Sequence, residues 1–243
     1  MAAYGADMNK YLDSGNEARI KKAYESRDPR LQMAVITPYA QYNGASSGIA
    51  HTYTLRWPYR GSDSAEPFDI RTDTNDKFYY LWRKFVPEGL EQTERDTYGL
   101  DIPLIHYAEV LLLKAEALNE WGSTHESEAI RCVNEVRRRA GHVELNNATY
   151  PATKVNGQSD LRERIRNEYY WEIGGEDSMY FHELRWGTWK DKKFDNNRNG
   201  LMQMWGETTY TWYWLGDQCW SWPIPAKEME MNSNLEQNEG WIN

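Results

Sequence analysis

The chain is poor in cysteine, in phenylalanine and in long apolar runs, and each shortage closes off a class of protein. Its 2 cysteines, Cys132 and Cys219, form no CxxC pair and no zinc-ligand spacing with the 5 histidines. Cysteine therefore says nothing of compartment. No apolar stretch approaches the roughly 20 residues needed to span a bilayer, so no transmembrane span is expected. Basic side chains are outnumbered, 28 Lys and Arg against 37 Asp and Glu for a net charge of -9. That balance removes the positive surface on which counterion release from nucleic acid depends, and no nucleic-acid partner is expected. A nucleophile elbow, a Walker loop, an HExxH helix and paired-cysteine motifs are all missing. The opening stretch "MAAYGADMNKYLDSGNEARIKKAYESRDPRLQ" carries no basic-then-apolar leader and no cleavage site, and reads as though cut from something longer.

What the chain has in excess is aromatic rings with polar handles, 12 Trp and 17 Tyr against 5 Phe. A core in need of volume alone can use Phe, whereas an indole N–H or a phenol O–H suits a surface wet at one edge. Flat faces with polar edges match sugar rings, whose C–H faces stack while their hydroxyls seek hydrogen bonds. Many of these rings are also ordinary core filler. With 243 residues, 40% hydrophobic and 27% charged, the chain can bury a sizeable core as one large domain or two small ones.

Periodicity predicts a mainly α fold of tetratricopeptide-like helical hairpins with long irregular loops and a few short strands. A helix runs from about Asn16 to Tyr24 and is stopped at Pro29. Residues 35–76, broken by Pro38, Gly44, Gly48, Pro58, Gly61 and Pro67, read as an irregular excursion, and such excursions are usually functional or disordered. "KFYYLWRKFV" then reads as a short strand. Residues 104–187 hold the hairpins. In the first helix Leu104, Ala108, Leu111, Ala115 and Leu118 fall on one face. In the second, Ile130, Val133, Val136 and Ala140 do so, with Gly141 as the stop and Cys132 as a buried or half-buried helix cysteine. A third helix, with Ser159 as its N-cap, runs through Leu161, Ile165, Tyr169 and Ile173 to Gly174, and "DSMYFHELRWG" pairs with it. Such hairpins do not bury their faces alone, which points to further neighbours.

Candidate chemistry is sparse. His182-Glu183 has no second ligand at a useful spacing and is read as a hydrogen-bonded structural pair. "DNNRNG" supplies Asp195, Asn197 and Asn199 in the order of a calcium loop, but the twelfth position is Gly206 where a bidentate Glu belongs. A plain Asn/Gly turn is the expectation, with no cofactor and calcium left open. "WGETTYTWYWLGDQCWSW" is a packed aromatic strand or, through Trp205 and Tyr213, a second ligand-facing or partner-facing patch.

Five stretches together resemble the carboxy-terminal half of the SusD/RagB family: "RDPRL", "HYAEVLLLKAEALNE", "VNEVRRRAG", "LRERIRNEYYWEIGGEDSMYFHELRWG" and the closing "PIPAKEMEMNSNLEQNEGW". Together they span nearly the whole chain, which is read as one carboxy-terminal region, 1–243, of a longer protein. The resemblance implies a Bacteroidetes surface lipoprotein at the outer membrane that binds glycans without cleaving them. The implied partner is a SusC-like TonB-dependent transporter, over which the binding protein acts as a lid. A family signal peptide, lipidated cysteine and amino-terminal helical half find no counterpart in these residues. By position in the family, glycan contacts come from the excursion after "DPRL": Trp57 and Tyr59 as main stacking platforms, Tyr42 and Tyr53 as lesser ones, and Asn43, Arg56 and Arg60 as hydrogen-bonding groups. A peptide-binding or scaffold role, as in the RagB branch, is the alternative. A glycosidase, whose carboxylate pair would meet only in three dimensions, is the third. In the tail, Pro223 and Pro225 fix φ and remove two donors, so side chains must hold that segment, with Trp220, Trp222, Ile224 and Trp241 as the expected grip.

Overall fold

A computed structural model describes residues 22, 24–25, 27–46, 49–59, 69–73, 81–89, 101–194 and 214–241. Asn9–His182 and Glu183–Asn243 belong to different compact units. As expected, the chain is mainly helical with a few strands.

In the first unit Pro29 opens a helix where the sequence reading had it close one. Asp28 accepts a hydrogen bond from the Arg30 N–H at 2.9 Å through its side chain, and Pro29 occupies the first turn of α1 (Pro29–Ala34). Proline costs nothing there, because the first N–H groups of a helix have no partner within it. The chain leaves through β1 (Val35–Ile36) and turns at Thr37-Pro38-Tyr39-Ala40, where the Ala40 N–H donates to Thr37 O at 2.9 Å. Tyr39 has φ 63°. Proline followed by positive φ defines a type II turn, whose third position favours Gly, and a side chain there costs about 1–2 kcal/mol.

The stretch read as irregular contains a three-stranded sheet, β2 (Gln41–Ser46), β3 (Ile49–Tyr59) and β4 (Asp69–Asp73), in the order β2-β3-β4. β2 and β3 are antiparallel with Tyr42 opposite Tyr53 and Asn43 opposite Thr52, and β4 runs parallel to β3. The glycines and prolines drew attention away from the Tyr and Thr residues of 49–54, which suit a pleated surface. Of the strand read over 77–86, β5 (Leu81–Trp82) lies among the described residues, paired with β1.

The hairpin core follows. α2 (Tyr107–Trp121) passes through Gly122 and a single 3-10 turn, Ser123–His125, into α3 (Glu126–Arg139), and α2 packs on both α3 and α4 (Gln158–Ile173). The buried stripe of α2 is Glu109, Leu112, Ala115, Leu118 and Asn119, rotated from the expected one; Leu104 precedes the helix and is exposed. The opposite face shows Tyr107, Val110, Leu113 and Trp121 to solvent. On α3, Ile130, Cys132, Val133 and Val136 are buried as expected. Gly141, at φ 70°, ends it with the His142 N–H on Arg137 O and its own N–H on Arg138 O. This paired closure needs a left-handed residue, which Gly adopts without a Cβ clash. α4 begins two residues early: Gly157 is the cap, and Asp160 rather than Ser159 reaches back, accepting from the Asn156 N–H at 2.9 Å. Leu161, Ile165, Tyr169 and Ile173 are buried at four-residue spacing, and α5 (Asp177–Arg185) follows.

In the second unit α6 (Trp189–Phe194) and a 3-10 turn, Asp217–Trp220, bring Trp189, Phe194, Trp214 and Trp220 into one ring cluster, with Trp214 and Trp220 centroids 4.8 Å apart. The proline segment is held by side chains, as expected, with Trp241 among them and Gln237 and Asn238 joining it. The Gln237 amide both donates to Ile224 O at 2.9 Å and accepts from the Ile224 N–H at 2.7 Å, standing in for a neighbouring strand. Asn238 donates to Trp222 O at 2.6 Å, and the Trp241 indole donates to Ser221 O at 2.8 Å. Trp222 itself is 86% exposed and grips nothing. The chain then forms α7 (Ala226–Met231).

Candidate functional site

The described part of the candidate region is the β2–β3 hairpin. Side chains alternate along a strand, and residues directly opposite share a face. The register therefore puts Tyr42 and Gly44 with Tyr53 and His51 on one face, and Gln41 and Asn43 with Thr54 and Thr52 on the other. The Tyr42 and Tyr53 rings lie 6.4 Å apart at 43°, and His51 meets Tyr53 edge-on at 6.3 Å. All three are half-buried. The rings lean over Gly44: a Cβ there would stand 2.8 Å from Tyr53 Cε2 and 3.0 Å from Tyr42 Cε1. The missing side chain at 44 is thus what lets two tyrosines close over the strand.

The hairpin is braced along the outer edge of β2. Tyr42 donates its hydroxyl to Pro87 O at 2.7 Å, the Asn43 N–H donates to Glu88 at 3.2 Å, and the Gly89 N–H donates to Asn43 O at 2.9 Å. Glu88 is itself fixed by Arg83, whose Nε donates to it at 2.5 Å and Nη2 at 3.0 Å. Burial raises the Tyr42 phenol above its ordinary pKa, and the Glu88 charge adds to that. Tyr42 is a neutral donor fixed in orientation.

Of the sequence-predicted residues, Tyr42 and Tyr53 come together. Asn43 lies on the opposite face, where its Oδ1 accepts from the Thr52 hydroxyl at 3.2 Å. The backbone of Arg56, Trp57 and Tyr59 belongs to β3, and their side chains lie outside what the structure describes. Arg60, the patch residues Trp205 and Tyr213, and Asp195, Asn197 and Asn199 of the incomplete calcium loop lie outside the described residues. Among the described residues no group of three or more His, Cys, Asp or Glu is placed to hold a metal ion. His51 and Gly44 were missed, although the even spacing of Tyr42 and Gly44 placed them on one strand face. His182, read as structural, is buried with Nε2 2.8 Å from Glu109 Oε1 and its ring on Tyr169 at 4.4 Å. Burial pushes the Cys132 thiol above its ordinary pKa, which leaves it an inert core side chain.

A profile of the SusD family matches residues 5–241. The chain belongs to the SusD family. It is 32% identical over 139 residues to a SusD-like protein of Formosa agariphila, covering 57% of this chain and 24% of that one. It is 28% identical over 161 residues to the starch-binding protein SusD of Bacteroides thetaiotaomicron, covering 66% of this chain and 25% of that one. A crystal structure of a SusD-like protein from Bacteroides fragilis superposes on 90% of this chain and 39% of its own with TM-score 0.57 at 22% identity, a likeness of fold. The chain thus spans about a quarter of the length of the curated relatives it matches.

Three of the five stretches behind the resemblance meet in one buried charge network of the first unit. Arg30 of "RDPRL" bonds Asp28 at 2.6 Å, Glu168 at 2.8 Å and Glu172 at 3.0 Å. Arg137 of "VNEVRRRAG" donates to Glu168 at 2.7 Å, and Arg139 pairs with Glu172. The Trp171 ring lies 5.9 Å from the Arg30 guanidinium and 5.6 Å from that of Arg137. Glu168 and Arg137 are almost fully enclosed. A buried guanidinium is tolerable only with carboxylates around it, so these motifs specify how α1, α3 and α4 pack. They carry fold, and the hairpin carries the candidate site.

Proposed function

We propose that the chain captures glycans, without cleaving them, on the aromatic face of the β2–β3 hairpin, as part of a nutrient-uptake protein at the outer membrane that works with a SusC-like TonB-dependent transporter. One observation carries this reading: two half-buried tyrosine rings lie tilted over Gly44, one locked by its hydroxyl, forming a floor with polar edges. Such a floor offers C–H stacking to a sugar ring, which suits reversible capture. Trp57 and Tyr59 on the same strand are proposed to extend it, with Arg56 and Arg60 supplying hydrogen bonds beyond its end and Asn43 doing so from the opposite face. Trp205 and Tyr213 form the proposed second patch. Family membership supports a glycan as ligand, and the name of the Bacteroides thetaiotaomicron relative supports a polysaccharide.

Isothermal titration against a glycan panel tests the floor. Loss of the Tyr53 ring in Tyr53→Ala is expected to weaken the best glycan about three- to tenfold, the worth of one aromatic contact, with an unchanged far-UV spectrum. Unchanged affinity rejects the floor as the binding surface. Tight binding of peptides with no glycan bound would instead favour the RagB-like role.

A further inference from the structure

The first unit has a cleft of about 190 Å³, lined chiefly by Tyr24, Gln32, Thr37, Tyr39, Gln41 and Arg83. Gln41 alternates with Tyr42 along β2, so its side chain leaves the hairpin on the face opposite the tyrosine floor. We infer that this cleft is a second carbohydrate subsite, on the reverse side of the hairpin, which takes one neutral sugar ring at a chain end; the inference rests on the glycan-binding reading above.

Size limits the occupant. Pockets for drug-sized ligands run to about 300–1,000 Å³, and this one is smaller, which suits enclosure of a single ring. The lining suits a polyol. The lining residues bring two amides, a threonine and two tyrosines together with Pro38 and Ala40, a mixture of polar and apolar chemistry. Charge argues for a neutral ring. The Arg83 guanidinium is matched in place by Glu88 through two hydrogen bonds, and its Nη1 reaches Gln32 O at 3.4 Å. The Arg83 charge in the lining thus needs no anion from a ligand to balance it.

The backbone supplies an independent observation. Tyr39 sits at the third position of the type II turn with φ 63°, a site where Gly would be unstrained, and its N–H is tied to Leu55 O at 2.7 Å. Strained non-glycine residues concentrate at ligand sites, where the side chain's position is worth its backbone cost. Here the strain is what carries an aromatic ring into the cleft wall.

The full 243-residue chain, titrated by NMR with methyl glycosides of glucose, galactose, mannose and xylose and with a methyl glucuronide, tests this. Gln32 and Gln41 are exposed, so Gln32→Ala/Gln41→Ala folds as the parent does. At least one neutral glycoside should shift resonances around the cleft, and the double variant should bind it about tenfold more weakly, the worth of two hydrogen bonds. Its retardation in polysaccharide gels should be unchanged, because a long polymer offers few ends. Equal affinity in the double variant, no glycoside shifts, or tighter binding of the glucuronide would each overturn the cleft assignment while gel retardation leaves the tyrosine floor standing. Loss of gel retardation in the parent chain as well would overturn both.

Discussion

A methyl group at position 44 is the smallest change that tests the tyrosine floor. The Cβ would press on Tyr53 at 2.8 Å, and Tyr42, tied through its hydroxyl to Pro87, has little freedom to yield. Gly44→Ala should therefore displace the Tyr53 ring and weaken glycan binding by about the same three- to tenfold as removing it. Tyr42→Phe should have a different effect: it removes the Pro87 bond, costs about 0.5–1.5 kcal/mol of stability, and leaves the ring face available. Thermal melts beside titrations separate the two, and a Gly44→Ala protein that binds as the parent does would show that the rings need no such clearance. Asn43, grouped with the tyrosines by sequence proximity, illustrates a limit of reading at this scale. One residue along a strand changes the face, and nothing in a run such as "QYNG" marks which face is which until the strand itself is recognised.

At the scale of elements, the buried charges govern how α1, α3 and α4 meet. Removing Glu168, which is fully enclosed, leaves the guanidinia of Arg30 and Arg137 without a shared acceptor. Glu168→Ala should cost about 3–5 kcal/mol, read as a lowered denaturant midpoint. Acid should act on the same network. Burial alone would raise the Asp28 pKa, but the hydrogen bonds and charge of Arg30 more than reverse this and hold it below 3.8. Its contribution is complete above 3.8 and lost as pH falls through the lower folded value. Burial, partly offset by Asp28, puts His142 below its usual 6.5, so its contribution also fades on acidification. The melting temperature should thus fall below pH 4, and Asp28→Asn should flatten that limb; an unaltered profile would remove Asp28 from the network's energetics. Much of this layer was legible in the sequence. Ile130, Val133, Val136, Leu161, Ile165, Tyr169 and Ile173 recur at helical spacing, and Gly141 marks an end by its left-handed φ. The sheet was not legible, since Gly44, Gly48 and Pro58 read as breaks, and the parallel pairing of β3 with β4 joins residues some way apart in the chain. Nor was the rotation of α2, whose apolar residues cover more than one face.

On the scale of the whole molecule, family membership and the tail belong together. The closing segment is held by Gln237, Asn238 and Trp241 rather than by a ladder, because two prolines take away the donors a ladder would use. Gln237→Ala removes both bonds to Ile224 and should loosen the tail, seen as faster amide exchange around Ile224 with glycan affinity unchanged. Binding is proposed to need no cofactor, so EDTA should leave glycan retention as it was, and a loss restored by calcium would instead bring Asp195, Asn197 and Asn199 into the site. The central claim is that the chain holds a glycan on the Tyr42–Tyr53 face and leaves it intact. Electrophoresis through gels that each contain one polysaccharide, followed by a reducing-end assay of the gel, tests this most directly. At least one polysaccharide should retard the parent chain, Tyr42→Ala/Tyr53→Ala should run freely through it, and no new reducing ends should form. Equal retardation of the double variant, free passage of the parent through every gel, or release of reducing ends would contradict it.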